Sequence, residues 1–286
     1  MSTQIDVARV QQYKQNVIML SQQRGSRLAP TVRVDGDVIG KRCYFDRIGS
    51  TEAQQMTSRH ADTPLMNTPH SRRSVPMTDY NWADLVDNVD KLKLINDPTN
   101  PYAVNAMWAF GRTKDDVIIS ALGGSAETGE AGAGSQALPS GQIIAHGSAD
   151  LSLAKLITAK KMLMAAEVDD MVPLNIVCSA EQIDALLNDT TITSADYNSV
   201  KALVKGDIDT FMGFNFIRSE RLVHDGTSRE CYAYAQTAVG LALPQDITVD
   251  VGPRRDKNNS MQVYVEMSLG AVRLEDEQVV QILCNE

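Results

Sequence analysis

The chain has 286 residues, 43% of them hydrophobic and 22% charged, and a formal net charge of −9. That is a globular composition with material for one large core or two small ones, and its acidic balance argues against nucleic-acid binding as the main task. No run approaches the roughly 18 apolar residues of a membrane helix. Residues 1–12 are polar, without the apolar stretch of a secretory signal, so the sequence predicts a cytoplasmic product with no membrane partner.

Residues 2–24 read as a helix, with Val10, Tyr13, Val17 and Leu20 at helical spacing and Gly25 as its stop. The apolar stripe is narrow, so such an arm must dock on something else. Thr31–Val34, Cys43–Phe45 and Ser74–Met77, leading into Tyr80 and Trp82, read as strands. Between them, Gly49–His70 is polar and aperiodic, with Pro64 and Pro69. So long a structureless loop is unusual in a compact domain, and a two-stranded flap is the better expectation. A lone hairpin is marginal in water, so a flap expects a neighbouring surface.

Asp97–Pro101 is a helix-start signal, and a helix is predicted over about 102–122, stopped by Gly123 and Gly124. Gly123–Gly141 reads as a small-residue loop, and a second helix spans about 151–167. The pattern then becomes α/β. A strand covers Asn175–Cys178, and Ser179 caps a helix through Leu187, with Gln182 placed for a capping box. Ser194 caps another helix through Val204, and Gly213–Ile217 and Tyr232–Ala235 read as strands. The end is β-rich: Ile247–Val251, Met261–Met267, Ala271–Leu274 and Val279–Leu283, with a turn over 252–260.

No stretch assembles a catalytic centre. Gly123–Gly129 lacks the lysine of a phosphate loop, and Glu127 and Glu130 would repel phosphate. His60, Asp62 and His70 match no metal-ligand spacing and read as exposed loop residues. Cys43, Cys178, Cys231 and Cys284 show no paired spacing and read as buried thiols. The carboxylate runs Asp115–Asp116 and Glu275–Glu277 read as solvated or interface faces. The expectation is therefore no enzyme, no catalytic residue, no cofactor and no metal. The informative charges lie in residues 41–73, which hold six Lys or Arg against three acids. Arg47, Arg59, Arg72 and Arg73 are candidates for a basic flap meeting an acidic neighbour. Asp79, Asp84, Asp87 and Asp90 follow directly and could form that face on another copy.

The order of these elements resembles the tailed-bacteriophage major capsid family, whose type member is the HK97 phage capsid protein. Thr57–Pro64 and Thr68–Arg73 are similar to an extended loop of that family, and Asp115–Ile119 with Gly123 and Gly124 to the end of its spine helix. Ser194–Asn198 and Met212–Ile217 are similar to its axial domain. The resemblance runs from about Ile5 to Cys284. It implies an α+β, HK97-like capsid fold: an N-terminal arm at 1–32, an extended loop at 33–80, a peripheral domain at 81–150 and 246–286, and an axial domain at 151–245. It implies a shell built from pentamers and hexamers of the chain, found in the virion and assembled in the host cytoplasm. A portal protein and a decoration protein are further candidate partners, with no specific nucleic-acid binding. Residues 48–71 hold no lysine for the loop crosslink of some relatives. The arm begins almost at once, so a separate scaffolding protein is expected. Two alternatives remain at this point: a nanocompartment shell of the same fold, told apart by protein cargo, and a small α/β enzyme, told apart by turnover.

Overall fold

The computed structural model describes residues 20–36, 38–56, 58–60, 62–63, 65–87, 99–188 and 210–286. The expected helix at 194–204, most of that at 2–24, and Asp90 lie outside these residues. Two compact units share the chain. The smaller draws on 1–25, 79–112 and 246–267, the larger on 26–78, 113–245 and 268–286.

In chain order the strands are β1 (Arg33–Asp35), β2 (Arg42–Ile48), β3 (His70–Pro76) and β4 (Thr78–Val86). Helix α1 (Thr99–Gly123) follows, then β5 (Ala126–Thr128), β6 (Gly134–Gln136) and β7 (Ile143–Ile144). Next come α2 (Leu153–Ala165), β8 (Leu174–Cys178) and α3 (Ala180–Asn188). The chain continues through β9 (Thr210–Phe211), β10 (Phe214–Arg218), β11 (Ser228–Ala235), β12 (Val239–Arg254), β13 (Ser260–Arg273) and β14 (Val279–Asn285).

The larger unit is centred on a mixed six-stranded sheet in the order β7-β14-β11-β8-β10-β9. Its central strands read as apolar runs because they are buried: Ile176–Cys178, Cys231–Ala235, and Val279, Val280 and Ile282. Helix α2 packs on β14 and β7, burying Leu156, Ala159 and Leu163, which share one helical face. A second sheet, β2-β3-β5-β6, buries Cys43, Phe45, Val75 and Ala126 against Ala242, Val272 and Leu274. Gly240 and Gly270 allow these layers to close: an added Cβ would lie 2.9 Å from the Phe45 ring or 2.5 Å from the Pro76 carbonyl. A third sheet runs β1-β12-β13-β4, with β1 parallel to β12. The smaller unit holds β4 and the 246–254 and 260–267 parts of β12 and β13. Asn258 and Asn259, at φ 50° and 57°, turn the chain between them, as Asn tolerates better than most residues.

Four expectations change on contact with the structure. Residues 20–24 are not helical. Their side chains are used outward instead: Arg24 lies over the Trp108 ring, and Gln22 bonds Asn105 and Arg112. Among the described residues the flap is paired only at its base, where the β2–β3 ladder ends at Ile48 opposite His70 and Gly49 N–H donates to the Pro69 carbonyl. The described residues of 49–69 form no strand. The small-residue loop contains the β5–β6 hairpin, whose strands are too short to show periodicity; β5 joins β3. Finally, Gln182 makes no capping box. Its amide is buried, donating to Asn285 O and accepting from Leu151 N–H, and so ties α3 to the chain's last strand. That strand, β14, pairs over seven residues with β11.

Candidate assembly surfaces

The arginines of residues 41–73 separate into two groups by local geometry. Strand alternation puts Arg47 and Arg73 on the inner face of the β2–β3 ladder, with Phe45 and Val75. Arg73 is 2% exposed and donates to Asp276 Oδ2 at 2.6 Å. Arg273, fully buried, donates to the other oxygen of the same carboxylate at 2.6 Å. Its remaining N–H groups reach Leu122 O, Gly124 O and Gln136 O. A cation thereby closes the carbonyl end of α1, where the helix dipole favours positive charge. Arg47 donates to Leu274 O. Burial lowers the pKa of Arg73, and the neighbouring Arg47 and Arg273 add to this, while Asp276 opposes it. Nε and Nη1 of Arg73 meet no acceptor among the described residues, so its burial is only half compensated.

On the outer face, Arg72 pairs with Asp46 at 2.5 Å and lies over the Tyr44 ring, and that hydrogen bond holds the Asp46 carboxyl below its usual range. Arg42 pairs with Glu127 at 2.5 Å. Arg59 is exposed and forms no ion pair with a carboxylate among the described residues. The same segment exposes Ile48 (69%), Met56 (81%) and Leu65 (96%). These side chains gain nothing in water and would gain on being covered.

In the smaller unit, β4 exposes Asp79, Asp84 and Leu85. Asp84 accepts from the Leu85 N–H at 2.8 Å, and Asp87 accepts from Ser260 Oγ. The exposed apolar residues of α1 in the same unit are Tyr102, Val104 and Met107.

Of the sequence candidates, the structure thus brings Arg47 and Arg73 together at the loop base, pairs Arg72 with Asp46, and leaves Arg59, Asp79 and Asp84 exposed. It adds Arg273, Asp276 and Glu127, which sequence reading did not select. The available signal was an arginine set in the apolar run Ala271-Val272-Arg273-Leu274, which burial permits only with partners. His60 and His70 are exposed, and no three His, Cys, Asp or Glu side chains gather as a metal-binding group among the described residues.

The chain thus combines a mixed α+β architecture, arginines paired within the subunit and apolar side chains left open on a long loop. The chain belongs to the phage capsid protein family, whose profile matches residues 5–286. Its role is that of a major capsid protein, and copies of it form the shell. Comparison with curated proteins found no match. Among solved structures, the capsid of cyanophage P-SCSP1u is similar with a TM-score of 0.76 at 13% identity, over 99% of this chain and 95% of that one. A structure from Mycobacterium phage Che8 gives 0.72 at 16% identity, over 96% of each chain. The capsid asymmetric unit of cyanophage Pam1 gives 0.72 at 16% identity, over 100% and 98%.

Proposed function

We propose that the subunit builds an icosahedral, HK97-like shell of pentamers and hexamers by laying its extended loop on a neighbouring copy. In this reading α1 is the spine helix, residues 151–245 surround the symmetry axes as the axial domain, and residues 33–80 are the extended loop. Residues 1–32 form the arm, and 81–150 with 246–286 the peripheral domain. The observation that carries the loop's role is the exposure along it of Ile48, Met56 and Leu65 together with Arg59, which has no carboxylate partner among the described residues. Its partner chemistry is carboxylate with apolar flanks, as Asp79, Asp84 and Leu85 present on β4. Arg47, Arg72 and Arg73 act one step back, holding the loop base, and Asp87 holds the turn at Ser260.

The subunit is a structural protein of the virion, not an enzyme. It is assembled in the host cytoplasm on a separate scaffolding protein and closed by a portal, and its outer surface is open to a decoration protein. Limited trypsin digestion tests the loop's role. Cleavage after Arg59 should be fast in the free subunit and much slower in assembled particles, because the loop is then covered. Equal rates in both states would sink this reading.

A further inference from the structure

Three of the four cysteines meet inside the six-stranded sheet. Cys178 ends β8, Cys231 lies in β11 and Cys284 in β14, and all three are fully buried. In the antiparallel β11–β14 ladder, Arg229 stands opposite Cys284 and Cys231 opposite Ile282. Residues two apart on a strand share a face, so Cys231 and Cys284 are diagonal neighbours on one side of the sheet. The Cys284 thiol points back along its own strand, 3.8 Å from the carbonyl of Ile282, the residue level with Cys231. That turns it toward the level of Cys231 across the ladder. Contact between the two thiols raises the pKa of Cys231 and lowers that of Cys284, and the Lys155 ammonium adds to the second effect. Lys155 is anchored nearby, donating to Leu283 O at 2.8 Å.

We propose that Cys231 and Cys284 are a latent disulfide, open when the chain folds in a reducing cytoplasm and closed by a small-molecule disulfide after the particle is released. The bond itself needs only the folded subunit; its timing rests on the shell reading above. The Cys284 thiolate, favoured by Lys155, attacks one sulfur of the oxidant and expels one small thiolate, leaving a mixed disulfide. Cys231 gives its proton to solvent and attacks the Cys284 sulfur, expelling the second small thiolate. Two protein thiols are oxidised, one external disulfide is reduced, and two small thiols are released. Both sulfurs are buried, so the rate follows local opening at the end of β14. The product staples the last strand to the centre of the sheet, as suits a particle that must persist outside the cell.

The test exposes reduced full-length protein, as free subunit and as particle, to oxidised glutathione over days. Remaining thiols are then alkylated in denaturant, and the chain is mapped without reduction. The expected result is loss of two of the four thiols and one linked pair of peptides holding Cys231 and Cys284 within one chain. Cys231→Ser and Cys284→Ser should each abolish that link and leave Cys43 and Cys178 alkylatable. Four persistent thiols in the folded protein, a Cys178–Cys231 link, or links only between chains would overturn the proposal. A subunit that forms the link but never assembles would count against the shell reading and leave the disulfide standing.

Discussion

Glu286 shows how one side chain can tie several elements at once. Its carboxylate accepts two hydrogen bonds from Arg229 and one from Ser179, and the Arg229 contact holds its pKa down at about 2. The folded state therefore binds its proton less readily than the unfolded chain. Its contribution to stability is complete above the ordinary carboxylate range and is lost as pH falls toward about 2. Glu286→Gln should be less stable than the parent at neutral pH, with the gap closing toward pH 2 in urea unfolding. Asp115 does the same where α1 meets residues 26–28. Its buried carboxylate accepts from Ser26 Oγ, Arg27 N–H and Leu28 N–H, fixing the chain where it enters the larger unit. Asp115→Ala strands those donors and should cost roughly 3 kcal/mol in unfolding free energy. Met212 predicts the opposite sign. With Gly213 it makes a two-residue turn between β9 and β10 at φ 53° and 83°. A side chain such as Met fits that conformation poorly, whereas Asn-Gly suits a type I′ turn. Met212→Asn should raise stability by roughly 1 kcal/mol, measured by the shift in urea midpoint.

At the scale of elements, β13 packs on the end of β3 too closely for a side chain at Gly270. Gly270→Ala would press a methyl group 2.5 Å from the Pro76 carbonyl, which cannot yield as a side chain would. It should destabilise by about 1–3 kcal/mol, seen as a lower thermal midpoint. The elements with a period were legible in the sequence. The helix expected at about 102–122 and found over 99–123, its Gly stop and the β-rich return follow from spacing and punctuation. The β5–β6 hairpin was not legible, because three-residue strands carry no period. The loop's true extent was not legible either, because polarity alone does not say whether a segment pairs with itself. Charge was read least well. Composition marked residues 41–73 as basic, but strand alternation decides that Arg73 turns inward to Asp276 while Arg72 turns outward to Asp46. Nothing local to Arg72-Arg73 announces an aspartate two hundred residues on.

At the scale of the whole molecule, Arg42, Arg47, Arg72 and Arg73 find partners within the subunit, and the function proposed above has Arg59 act between subunits. Arg73→Glu would set a second carboxylate against Asp276 in a buried site and should fail at folding. Arg59→Glu should fold normally and assemble poorly, and Asp84→Lys should recover part of the loss if β4 is the partner surface. One exposed pair is worth only about 0–1 kcal/mol, so its weight comes from repetition over every copy in the shell. Electron microscopy of the purified chain, with its scaffolding protein supplied, tests the central claim most directly. The account predicts rings of five and six subunits or closed icosahedral shells. A protein that stays monomeric at high concentration under those conditions would contradict it.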